Sequence, residues 1–75
     1  MAKTSKRFVI CLNNTGYEVS LERRKIYVAI PDARAEKLDQ LRVIDESGED
    51  YLYPVDSFVF LTLPQPIRKA VLRAA

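Results

Sequence analysis

Histidine and tryptophan do not occur in this chain of 75 residues, cysteine occurs once, and glycine twice. Each gap closes a branch of chemistry. Without imidazole there is no ordinary general base at neutral pH, no Ser–His or Cys–His pair, and none of the commonest metal ligand. One thiol with no imidazole does not assemble a zinc site within a single chain. Gly16 and Gly48 stand alone, so there is no glycine-rich cradle for phosphate. We therefore expect a protein that is not an enzyme and that carries no cofactor and no metal. A lone cysteine makes no internal disulfide, which favours a reducing compartment. Met1 to Arg7 is polar and basic, and the apolar run after it, FVICL, is far shorter than a secretory or spanning segment of about 20 residues. The expectation is a cytoplasmic protein with no membrane partner.

What the chain does contain is enough to fold. Its residues are 48% hydrophobic and 29% charged, an ordinary globular balance. A chain of this length makes one domain and buries roughly 60% of its unfolded surface, so most apolar side chains must be used. Residues 1–6 (MAKTSK) read as a flexible tail and 7–75 as the domain. RFVICLN has the branched and aromatic residues of a strand and ends at a turn signal, Asn13 to Gly16. Its apolar run lacks polar alternation, which implies a strand covered on both faces or the heart of a small barrel. YEVSLE (Tyr17 to Glu22) alternates weakly and suits a short strand or one arm of an open loop. KIYVAI is a firmer strand, halted by Pro31. DARAEKLDQ has helix-forming residues but length for only about one turn, an excursion between strands.

LRVID and DYLYP flank Glu46-Ser47-Gly48-Glu49, where Gly48 suits a type I turn closed by a left-handed bulge residue. FVFLTL is a further strand, stopped by Pro64 and Pro66. Pro66 also suits the first turn of a helix over 66–74, with Ile67, Ala70, Val71 and Ala74 on one face. The pattern predicts a mainly β fold: a small antiparallel structure of about five strands with a short C-terminal helix.

These strands and turns resemble those of an SH3-like barrel. LERRKIYVAIP is similar to the stretch leading from that family's first long loop into its second strand, and LRVIDESGEDYLYP to its central strands and distal hairpin. YLYPVDSFVFL resembles its ending, where an aromatic, an apolar residue and proline lead through a 3₁₀ turn to another aromatic and the last strand. The likeness spans about Leu21 to Leu61. It implies a small SH3-like antiparallel barrel. Two features of the family's peptide-binding members are missing: the groove tryptophan and an Ala-Leu-Tyr-Asp-Tyr run in the first strand.

Two kinds of contact surface follow. One is an aromatic and acidic face of Tyr17, Tyr53, Pro54 and Phe58 with Glu49 and Asp50, suited to another protein or to a second copy of the chain. Its structural alternative is that the tyrosines cap the core. The other surface would bind RNA or DNA through Arg23, Arg24 and Lys25 with Arg68 and Lys69, if these cations converge on one side. Self-association through the C-terminal helix or the N-terminal strand is a third possibility. Charge is segregated, since every charge between Ile44 and Ile67 is negative and the basic clusters lie outside. That arrangement fits either self-complementarity or the orienting of a charged partner. The acids Asp45, Glu46, Glu49 and Asp50 read as a solvated hairpin tip, because they lack the alternating ligand spacing of a calcium loop. Cys11, inside FVICL, reads as a small buried hydrophobe.

Overall fold

Five short runs of branched and aromatic residues become strands in the computed structural model, which describes residues 6–74. They are β1 (Arg7–Cys11), β2 (Ile26–Ile30), β3 (Gln40–Ile44), β4 (Asp50–Pro54) and β5 (Phe58–Leu61). All pairings are antiparallel, and the order across the sheet is β4-β3-β2-β1-β5. Strands one to four therefore meander, while β5 returns to the far side of β1. Helix α1 (Ala33–Lys37) lies between β2 and β3, and helix α2 (Gln65–Ala74) follows β5. A 3₁₀ turn, Val55–Ser57, joins β4 to β5. The tail expected over 1–6 falls, apart from Lys6, outside the described residues, as does the last residue of the expected domain, Ala75.

Register explains the two-sided burial of β1. Val9 lies opposite Tyr27 and Phe60, while Phe8 lies opposite Val28 and Leu61. Directly paired residues point to the same face, so one face of the sheet carries Val9 and Tyr27, and the other carries Phe8 and Val28. All four are at most 5% exposed. The first face holds the main core, in which Val9, Cys11, Ala29 and Val43 pack with Tyr53 and Phe58. Although β4 and β5 are at opposite ends of the order, the rings of Tyr53 and Phe58 approach edge-on with centroids 6.2 Å apart. The sheet is curled enough for the inner side chains of its two edges to meet.

The expected excursion after β2 is the single-turn helix α1. Asp32 caps it by accepting from the Ala35 N–H at 3.0 Å, and the same carboxylate group accepts from Arg42 Nε at 2.8 Å. The cap and the cation draw its pKa below the usual range, in that order of effect. The helix ends at Asp39, whose φ of 58° is the left-handed conformation that often closes a helix. The glycine hairpin also forms. Gly48 has φ 85°, its N–H donates to the Asp45 carbonyl, and the Asp45 N–H donates to the Glu49 carbonyl.

YEVSLE forms no strand and lies within an irregular loop. Tyr17 to Ser20 is a turn in which the N–H groups of Ser20 and Leu21 both donate to the Tyr17 carbonyl. The alternation there misleads, because Val19 is 98% exposed while Leu21 is 1% exposed. Leu21 is a plug: the irregular segment from Leu12 to Lys25 drops this one side chain into the main core. The opposite face is crossed by α2, where the Arg68 guanidinium sits 5.0 Å from the centre of the Phe8 ring and donates to the Lys6 carbonyl at 3.0 Å. Among the described residues no helix is long and apolar enough to cross a membrane.

Candidate functional site

The distal hairpin splits into a buried half and an exposed half. Asp45 closes β3 and is 6% exposed, so it does not belong to the solvated tip expected for it. Its carboxylate accepts from the Ser47 N–H at 2.8 Å, the Ser47 hydroxyl at 2.5 Å and the Tyr53 hydroxyl at 2.6 Å. Burial alone would raise its pKa. The donations from Ser47 and Tyr53 outweigh burial and hold it below the ordinary carboxylate range. Burial and the neighbouring carboxylate together push the Tyr53 phenol up.

Glu46 does similar work one residue later. It accepts from Lys25 Nζ at 2.7 Å and from the Tyr27 hydroxyl at 2.5 Å, and these two donors lower its pKa. The Tyr27 oxygen in turn accepts from the Glu22 N–H at 2.7 Å, and the Glu46 N–H donates to the Ser20 carbonyl. Tyr53 completes the link, its oxygen lying 2.9 Å from Ser20 Oγ. Two tyrosines, one on β2 and one on β4, thus fasten the Leu12–Lys25 segment to the sheet. No buried side-chain nitrogen or oxygen among the described residues lacks a partner. The arrangement is a set of satisfied hydrogen bonds.

Of the aromatic and acidic face expected from the sequence, Tyr17, Tyr53 and Phe58 do come together. The Tyr17 ring stands edge-on to Tyr53 at 5.0 Å. Burial corrects the roles of two of its members, however. Tyr53 and Phe58 are 4% and 7% exposed, because the inward position of β4 falls at 53 and the 3₁₀ turn delivers Phe58 into the core. What faces solvent is Tyr17, Pro54, Glu49 and Asp50, together with Tyr51 and Leu52, half-exposed residues of the same edge strand. The Tyr51 hydroxyl donates to Glu49 at 3.0 Å, and Asp50 lies 3.4 Å from Arg42.

The expected nucleic-acid cations belong to two parts of the chain, the loop before β2 and helix α2. Arg23, Arg24 and Lys25 precede β2, where Lys25 is committed to Glu46 and Arg24 holds a left-handed φ of 69°. Arg24 and Lys25 border a cleft of about 600 Å³ that Asp45, Glu46 and Val71 also line. Arg68 belongs to a different hollow, with Lys6, Arg7 and Phe60, and Lys69 is exposed on α2. Acids line the first cleft and an aromatic ring occupies Arg68.

Several surface features escaped the sequence reading. Leu52, Val59 and Phe60 are 41%, 45% and 45% exposed, although each lies in a strand of apolar sequence. Edge position is what exposes them, and strand order cannot be read from a single run. Among the described residues no group of three or more acidic or sulfur ligands is placed to hold a metal ion. Compared with protein-family models, curated proteins and solved structures, the chain matches none of them.

Proposed function

We propose that the protein is a non-catalytic interaction module on an SH3-like barrel, and that it engages another protein along the β4 side. The barrel reading draws support from the strand order, from the 3₁₀ turn before the last strand, and from the meeting of Tyr53 with Phe58 across the two ends of the sheet. One observation carries the functional reading: Tyr17 is 38% exposed, yet its ring is held edge-on by a buried tyrosine. A pre-positioned aromatic loses little freedom on binding, which is why such residues act as anchors. Pro54 is exposed at the end of the same strand, and Glu49 and Asp50 orient a partner with a basic segment.

The test is affinity capture with immobilised protein, mass-spectrometric identification of the bound protein, and titration calorimetry with the purified partner. Tyr17→Ala should weaken binding at least about tenfold, since anchor truncation costs 1–2 kcal/mol or more. Unchanged affinity would remove this surface from consideration. Recovery of RNA alone, with affinity falling steeply as salt rises, would transfer the function to the basic clusters.

A further inference from the structure

The two edges of the sheet are chemically unlike. β4 is guarded by Asp50 at one end and Pro54 at the other, the devices that keep an edge strand from recruiting a second strand. β5 has no such guard: Phe58-Val59-Phe60-Leu61-Thr62-Leu63 contains neither charge nor proline. Its backbone polarity is also open. The Leu12 N–H donates to the Ser57 carbonyl at 2.8 Å, so Ser57 and, by alternation, Val59 and Leu61 turn their backbone groups towards β1. Phe58, Phe60 and Thr62 turn theirs outward, and no strand lies on that side among the described residues. Val59 and Phe60 are each 45% exposed on opposite faces.

A strand that completes this edge must be apolar on both faces and uncharged. β5 itself has that composition. We propose that a second copy of the chain occupies the edge, with β5 pairing antiparallel to its own counterpart about a two-fold axis through Phe60. In that register Phe60 faces Phe60 of the other copy, and Phe58 faces Thr62, so every outward backbone group gains a partner. Charge favours the same arrangement. Exposed Asp56 precedes β5, whereas Lys6, Arg7 and Arg68 surround its far end. Antiparallel pairing brings the acid of each copy to the basic end of the other, an isologous and closed contact. This surface is distinct from Tyr17 and the β4 side, and it does not depend on that reading.

Sedimentation equilibrium from micromolar to millimolar protein should show a monomer–dimer equilibrium. Amide exchange followed by NMR should then show concentration-dependent protection at Phe60 and Thr62, with the Val59 amide protected throughout. Phe60→Lys should raise the dimer dissociation constant at least about tenfold by placing charge on the edge. Thr62→Pro removes an outward N–H that has no partner among the described residues, so it should weaken the dimer while the thermal melt of dilute protein stays unchanged. Asp56→Lys should weaken it severalfold and flatten its salt dependence. Tyr17→Ala should leave the dimer intact. A monomer at millimolar concentration overturns the proposal, as does a dimer insensitive to Phe60→Lys or one whose Phe60 amide gains no protection. Monomeric protein that binds an unrelated extended peptide at β5 also overturns it, while leaving the β4 surface standing.

Discussion

The two coverings of the sheet are fastened by different means. Over the main core lies the Leu12–Lys25 segment, which has no regular structure yet is anchored by Leu21, by two tyrosine hydroxyls and by main-chain bonds to Cys11 and the hairpin. Over the other face lies α2, a regular helix that relies on Arg68, Val71 and a partly exposed apolar stripe, with Ile67 at 51% exposure. Regularity and attachment are therefore separate properties. A helix satisfies its own backbone and needs little from its neighbours, whereas an irregular segment must find partners elsewhere, and here it bonds to Cys11 of β1, Tyr27 of β2, Glu46 of the hairpin and Tyr53 of β4.

That contrast can be broken by mutation. Leu21→Ala should cost most, about 3 kcal/mol, since it removes a fully buried side chain and leaves a cavity; urea denaturation measures it. Asp45→Asn should follow at about 2 kcal/mol, because the charge-assisted bonds from Ser47 and Tyr53 are lost or reversed. Acid offers a second view of the same group. Asp45, Glu46 and Asp32 all have folded pKa values below their ordinary ones, so their stabilisation is fully present above the unfolded values near about 4 and is lost as pH falls through the folded ones. Stability should be flat above about pH 5 and decline below about pH 4, with a shallower decline in Asp45→Asn.

Tyr27→Phe should cost about 1 kcal/mol through the loss of its bonds to Glu22 and Glu46. Arg68→Gln, on the helix side, should cost only about 0.5 kcal/mol, the range of a partly exposed cation–aromatic contact. If thermal denaturation ranked Arg68→Gln above Tyr27→Phe, the helix would be the more firmly held cover and the contrast would be inverted.

Sequence reasoning reached what is local. Gly48 announces its turn because no other common residue takes that conformation without cost, and Pro66 announces a helix because its fixed φ suits the first turn. Each of the five strands carries its own branched or aromatic run. The segment around Tyr17 was not legible, because the side chains that fix it are distant: Ser20 meets Tyr53, and Tyr27 meets Glu46, contacts that leave no period in the sequence. The same limit applied to the candidate site. Tyr53 and Phe58 carry the composition of a binding surface, but only the curl of the sheet sends both inward and leaves Tyr17 outside.

Cys11 gives the molecule a built-in clock. Its thiol is fully buried beside Val9 and Phe58, and burial pushes its pKa up, so in the closed fold it is both shielded and a poor nucleophile. It is also the sole thiol in the chain. Any reaction with an aromatic disulfide reagent must therefore wait for the core to part, and the pace of the colour change reports how often that happens in plain buffer, without denaturant or label.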